Sequence, residues 1–221
     1  MGIKRGPTPI VTEGLVLYLD AANYRSYPGS GTDWIDLSGY GNHATLANGP
    51  IFDSNNQGSF VFDGTDDYFS GTFSCNKTYY SVDWWTYPTQ LLDYNQNIVF
   101  NGLSWDAFVV HTTLAGGVYI GTSTSSRISP WANDVYVANT WQNFTWTFDN
   151  GAAKFYKNGI LQTSKSIALS YYPSFTSYST GGGSTSVLEG KLPILRVYSN
   201  KVLTEAEIQQ NFNATKDRFG L

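Results

Sequence analysis

The reactive side chains of this sequence are few, and their spacing narrows the chemistry open to it. Its 221 residues hold four glutamates, Glu13, Glu189, Glu205 and Glu207, with two histidines and one cysteine. Retaining hydrolysis of a glycosidic bond needs two carboxyl groups about 5 Å apart. Glu205 and Glu207 fall at a predicted helix start, where negative charge suits the helix dipole. Neither histidine, His43 or His111, has a metal-type partner at close spacing, so both read as satisfied strand or loop residues. The serine-hydrolase pattern Gly-x-Ser-x-Gly is absent from the sequence. Cys75 reads as a small half-buried filler.

Two other patterns carry chemistry. Acidic and amide oxygens gather in the turns Asp36-Leu-Ser-Gly-Tyr-Gly-Asn42 and Asp63-Gly-Thr-Asp66-Asp67. Calcium takes six to eight oxygens at flexible geometry. One structural Ca2+ on Asp36, Asn42, Asp63 and Asp66 is therefore one reading. The other has the aspartates capping their own turns through Asx hydrogen bonds. The second pattern is aromatic. Flat rings stack on the apolar faces of sugars, while amides and carboxylates take the hydroxyls. Tyr24, Tyr27, Trp85, Tyr87, Trp131, Tyr171, Tyr172 and Tyr178 are placed in loops or at strand ends. Trp85 and Trp131 are the expected platforms, with Asp83, Asn133 and Asp134 as polar partners and Tyr171 and Tyr172 beside them.

The elements that must position these groups read as strands. Phe144, Trp146 and Phe148 alternate with Thr145 and Thr147, giving one greasy and one polar face. A break at Asp149-Asn150-Gly151 follows, and then Asn158-Gly159, which suits the two positive-φ positions of a type I′ turn. A meander of three antiparallel strands results. Leu15 to Leu19 is apolar on both faces, as in a central strand. Residues 23–42 form a long Gly-rich loop pinned by Trp34 and Ile35, and a short strand begins at His43. Tyr79 to Trp85 alternates, so that one of Trp84 and Trp85 points in and its neighbour out. Pro193 marks an edge or a bulge in the last long strand, Val187 to Ser199. Thr204 and Glu207 form a capping box, with Leu203 and Ile208 as its hydrophobic staple, so one short helix follows. About a dozen strands and a terminal helix predict an all-β, antiparallel two-sheet jelly-roll sandwich over residues 13–221. Residues 1–12 are expected to form an extended arm.

Composition sets the outer bounds. Aromatics make up 16% and charged residues only 14%, so a real core coexists with a Ser/Thr/Asn-rich surface. The net charge of −4 and the lack of a long Lys/Arg block argue against nucleic-acid binding. No apolar run approaches a membrane span, and no apolar segment follows Lys4-Arg5, which predicts the absence of a signal peptide. Many tyrosines with few charges suit a subunit that docks onto a larger body.

Several blocks resemble the laminin-G-like jelly-roll domains of the concanavalin A-like lectin/glucanase superfamily. They are Gly14 to Asn23, Trp34 to Asn42, Ser59 to Gly64 with Asp67-Tyr68, Trp141 to Asp149, Phe155 to Leu161, and Arg196 to Asn200 with Leu203 to Gln210. The glucanase branch carries Glu-x-Asp-x-Glu or a close variant on one strand, and this chain has neither, so the resemblance implies a non-enzymatic protein. The start, YLDAANYRSYPGSG and the end NFNATKDRFGL are similar to virion structural proteins of tailed phages. That likeness implies a virion-surface protein made in a host cytoplasm, a capsid or tail decoration or a fibre adhesin. Its partners would be other virion proteins and a host-surface carbohydrate, in a homo-oligomer or larger assembly. A purely structural virion subunit and a cellular carbohydrate-binding module are the alternatives.

Overall fold

A computed structural model describes residues 9–76, 78–91, 96–101, 107–112, 118–121, 135–166, 175–180 and 188–221, with side chains described over most of them. The strands in chain order are β1 (Leu15–Asp20), β2 (Asp33–Trp34), β3 (Ala44–Ala47), β4 (Ile51–Asp53), β5 (Ser59–Asp63), β6 (Tyr68–Cys75), β7 (Tyr79–Pro88) and β8 (Gln96–Asn101). They continue with β9 (Ala107–Thr112), β10 (Val118–Gly121), β11 (Gln142–Asp149), β12 (Ala152–Lys157), β13 (Ile160–Ser166), β14 (Phe175–Ser179) and β15 (Glu189–Ser199). Helix α1 (Glu205–Thr215) and a short 3-10 turn, Lys216–Phe219, close the chain.

The strands form two antiparallel sheets. The first runs β13-β12-β11-β7-β15-β5-β4, with β1 also paired to β15; the second runs β10-β9-β8-β14-β6-β3-β2. This is the expected two-sheet sandwich with one short C-terminal helix. The meander forms as the sequence predicts. Asn158 and Gly159 have φ of 51° and 75°, and Lys157 pairs with Ile160 across them. Asn150 and Gly151, at 42° and 101°, make a second two-residue turn between Asp149 and Ala152. Positive φ at both central residues matches the twist of the flanking strands, which is why Asn-Gly serves twice.

Period-two alternation then builds the core. Phe144, Trp146 and Phe148 are at most 1% exposed and meet Tyr80, Val82 and Trp84 of β7 on the same inner face. Phe69, Phe73, Phe175 and Tyr178 cover them from the second sheet. Rings meet edge to face, as at Trp34 and Phe60, 4.7 Å apart, which favours the ring quadrupoles. Trp34 does pin the long loop, being fully buried between Phe60 and Phe69.

One local expectation is corrected and two are made more definite. First, β1 is not a central strand: among the described residues it pairs only with β15. Its other side is completed by the 36–42 loop, where Leu37 N donates to Tyr18 O at 2.8 Å. Second, Pro193 marks a bulge, with the register shifting between Lys191 and Ile194, but β15 lies inside the sheet between β7 and β1 or β5. Third, residues 9–12 do not hang free. Val11 is buried, its N–H donates to Asn211 Oδ1 at 2.9 Å, and Tyr198 Oη donates to Val11 O at 3.1 Å. Residues 1–8 of the expected arm lie outside the described residues.

The outer faces of the two sheets differ. That of the first is roofed by α1, the 3-10 turn and residues 9–12, which is why Thr145 and Thr147, on the polar face of their strand, are buried. The capping box that starts α1 is present: Glu207 N donates to Thr204 Oγ1 at 3.3 Å, and Thr204 N to Glu207 Oε2 at 2.8 Å. Leu203 and Ile208 pack in one cluster with Val11, Tyr156 and Tyr198. Among the described residues, no helix lies on the outer face of the second sheet.

Candidate functional site

The expected sugar platform at Trp85 does not exist. Trp85 does leave the sandwich core, as the Trp84/Trp85 alternation requires, but it enters a second one. Its ring stacks on Phe219 at 4.1 Å and Phe212 at 5.8 Å, and its Nε1 donates to Thr215 Oγ1 at 3.0 Å. Fully buried, it offers no face to a ligand. Asp83 is corrected for the same reason. Its carboxylate accepts from Arg196 Nη1 at 2.9 Å, Thr145 Oγ1 at 2.8 Å and Asn143 Nδ2 at 3.1 Å, all beneath the helical roof. Burial disfavours the Arg196 charge, but Asp83 beside it, with Tyr198, Tyr18 and Asp20, holds the guanidinium above its ordinary pKa. Tyr18 lies over that guanidinium at 5.6 Å, and its own hydroxyl is pushed up to about 12, first by burial and then by Asp20.

Of the other aromatics, Tyr27 and Tyr178 are core residues and Tyr87 packs on Trp141 at 5.2 Å. Tyr24 is exposed as expected. Trp131, Asn133, Asp134, Tyr171 and Tyr172 lie outside the described residues. Only the backbone of His111 is described, in β9.

The expected metal residues separate into two groups. Asp36 and Asn42 finish the open edge of β1. Asp36 Oδ1 accepts from Tyr18 N and Ser38 N, at 2.8 and 2.9 Å, and Oδ2 from Ser38 Oγ and Asn42 N, at 2.6 and 3.0 Å. Asn42 Nδ2 donates to Val16 O at 2.7 Å, and Ser38 Oγ lies 3.0 Å from the same oxygen. Side chains here do the work of a neighbouring strand, satisfying backbone groups that would otherwise be buried unpaired. With both oxygens of Asp36 committed, it is corrected from ligand to cap, and Asn42 with it.

Asp63 and Asp66 instead join Asp67, a residue not among those expected. One carboxylate oxygen of each lies within 4.8 Å of the others. Asp63 Oδ1 accepts from Thr65 N at 2.8 Å, which holds its pKa below the usual carboxylate value. Asp67 is raised, first by burial and then by the charges of Asp63 and Asp66. A divalent cation would suit three hard oxygens and relieve that repulsion. The Asx turn that Asp63 closes is the competing account of the same geometry.

What β2, β3, β6 and β14, the strands of the second sheet whose side chains are described, present on its outer face is hydroxyls and the carboxylate of Asp33. Asp33 pairs with Thr45, Thr45 with Ser70, and Ser70 with Ser179; one step along, Thr72 pairs with Ser177. Asp33, Thr45 and Thr72 are exposed, and Ser70 and Ser177 half-buried. Inner neighbours such as Ala44, Leu46, Phe69 and Phe73 are buried, so the polarity of this face is the other half of the core alternation. Small side chains allow a ligand to approach the backbone closely, and each hydroxyl both donates and accepts. At the margin, where the 36–42 loop enters β3, stand exposed Tyr40 and His43. Sequence reasoning took His43 for a satisfied strand or loop residue and did not single out Tyr40. The available signal was an aromatic between two turn glycines, Gly39-Tyr40-Gly41.

Two antiparallel sheets packed face to face, with one short C-terminal helix, make a jelly-roll sandwich. A laminin-G-type family model, described as the concanavalin A-like lectin/glucanases superfamily, matches residues 62–209. The chain belongs to that superfamily. Among solved structures, it is similar to domain 4 of AbnA, a GH43 extracellular arabinanase from Geobacillus stearothermophilus, in complex with arabinotriose. The TM-score is 0.70 at 17% identity, over 89% of this chain and 97% of that one. It is also similar to the botulinum neurotoxin serotype D ligand binding domain in complex with N-acetylneuraminic acid, with TM-score 0.69 at 14% identity over 91% of this chain. The binding domain of Paraclostridial Mosquitocidal Protein 1 gives 0.70 at 15% identity over 92% of this chain. The chain spans about half of those two toxin chains, 51% and 52%. At such identities the likeness is one of fold. No curated protein matches the chain in sequence.

Proposed function

We propose that this chain is a non-enzymatic carbohydrate-binding domain on the surface of a phage particle, decorating the capsid or tail or serving as a fibre adhesin. The observation that carries the binding reading is the asymmetry of the two outer faces. The chain spends its helix and N-terminal segment on roofing one sheet, and leaves the other lined with Thr and Ser hydroxyls. Two similar folds hold sugars, the arabinanase domain arabinotriose and the toxin ligand binding domain N-acetylneuraminic acid, which supports the reading. The phage setting rests on the sequence resemblance of the two ends of the chain. One structural Ca2+ at Asp63, Asp66 and Asp67 belongs to the same proposal.

The test is binding to an immobilised oligosaccharide panel that includes arabinosides and sialosides. Wild type is expected to bind, and Thr72→Arg with Ser177→Arg, which crowd the open face, to lose binding while keeping the melting temperature. No binding by a folded wild type would refute the reading. It would then favour a virion building block whose contacts are with other virion proteins or copies of itself. That second reading draws on Ile160 and Leu161, which are 63% and 41% exposed on β13 at the end of its sheet.

A further inference from the structure

We infer that the Asp36–His43 loop is a preformed pyranose subsite, in which the Tyr40 ring is the stacking platform and His43 Nε2–H the hydrogen-bond donor. This rests on the carbohydrate-binding reading above and assigns it to two residues.

The loop is rigid where it needs to be. Asp36 takes four hydrogen bonds, one of them from the Ser38 hydroxyl, Asn42 Nδ2 holds Val16 O, and Tyr178 Oη donates to Asn42 O at 2.7 Å. Tyr40 N donates to Ser38 Oγ at 3.3 Å, so the backbone beneath the ring is fixed as well. The ring itself is 70% exposed. Gly39 and Gly41 on either side have φ of 93° and 76°, and a Cβ built at either would meet nothing within 4 Å. The turn therefore needs glycine for its backbone angles, and nothing crowds the chain at either glycine beside Tyr40. An exposed aromatic ring on a stiff loop meets the apolar face of a pyranose at little entropic cost.

His43 adds direction. Asp36 N donates to His43 Nδ1 at 3.1 Å, so Nδ1 is an acceptor and the ring proton sits on Nε2. The ring is exposed, and His43 stands two residues before Thr45 of the hydroxyl-lined face. A fixed Nε2–H beside a platform is suited to a sugar hydroxyl or ring oxygen.

The experiment has two arms. Long-range 15N–1H spectra of the free protein report the His43 tautomer; an Nε2–H signal is expected, and an Nδ1–H tautomer would overturn the geometry. Titrations follow with N-acetylneuraminic acid and the methyl pyranosides of galactose, mannose and glucose. Tyr40→Ala is expected to weaken binding about tenfold, as loss of a stacked ring does. His43→Asn keeps an oxygen where Nδ1 accepts and removes the donor, and is expected to cost about fivefold. Tyr79→Ala, the loss of an exposed tyrosine on β7 of the first sheet, is expected to leave affinity unchanged. Wild-type binding that survives both loop variants, or falls with Tyr79→Ala, overturns this assignment and leaves the carbohydrate reading standing. Binding of no pyranoside by the wild type overturns both.

Discussion

Replacing Asp83 by alanine tests how the roofed face is built. In the native protein Asp83 and Arg196 have no solvent-exposed side-chain surface, and their contact is 2.9 Å. Alanine removes the counter-charge of a buried guanidinium and takes the acceptor from Thr145 Oγ1 and Asn143 Nδ2. Arg196 Nε and Nη2 already lack protein acceptors among the described residues, so nothing nearby replaces the lost carboxylate. Breaking one side of a buried pair costs about 3–5 kcal/mol. For a domain of this size that is a fall in Tm of about 6–20 °C, at about 2–4 °C per kcal/mol. The double variant Asp83→Leu with Arg196→Met removes both charges and refills the space. It should recover most of the loss, because both ions then escape desolvation. Thermal melts and guanidinium titrations followed by tryptophan fluorescence read both effects. An Asp83→Ala protein that melts within about 3 °C of wild type but loses sugar binding would refute the reasoning, since Asp83 would then face a ligand.

Other outcomes follow from the same coordinates. Asn211 is fully buried and links Val11 N to the Tyr198 hydroxyl; Asn211→Ala should cost about 1–3 kcal/mol in denaturant titration and expose the N-terminal segment to proteolysis. The raised pKa of Asp67 means that the folded state holds this proton where the unfolded chain has released it. Its ionisation therefore lowers stability as pH rises through the carboxylate range towards the raised value. Asp67→Asn should raise Tm in chelator at neutral pH, whereas added calcium should raise the Tm of wild type and not that of the variant; an unchanged wild-type Tm with and without calcium would remove the metal. Cys75 is buried and its thiol is pushed up to about 12 by that burial, against a smaller opposing hydrogen bond from Ser199. A thiol reagent at pH 8 should label it only after unfolding.

The parts of the fold legible in the sequence were those set by local chemistry. Asn158-Gly159 fixed its turn through backbone angles, Thr204 and Glu207 fixed the start of α1, and Phe144, Trp146 and Phe148 declared the inner face. What failed was tertiary. Thr145, Asp83 and Trp85 occupy outward positions on their strands, and only the docking of α1 and the 3-10 turn turns outward into buried. The sequence carried a hint, since Trp84-Trp85 and Leu195-Ile194 put large apolar groups on both faces of their strands, which means both faces are covered. Asp36 and Asn42 failed differently. A carboxylate near amides and glycines suits a calcium loop and an edge cap alike, and only the position of β1 decides between them. Tyr40 and His43 were hidden because the turn holding Tyr40 was read for its oxygens and His43 as a satisfied loop residue; their interest comes from a hydrogen bond between residues 36 and 43.

The central claim is that the open face of the second sheet binds carbohydrate. Backbone amide shifts during titration with N-acetylneuraminic acid and the same pyranosides test it most directly. The account predicts that perturbed signals cluster on Asp33, Tyr40, His43, Thr45, Ser70, Thr72 and Ser177. Shifts confined to α1 and the strands beneath it, or no shift with any sugar at millimolar concentration, would contradict it.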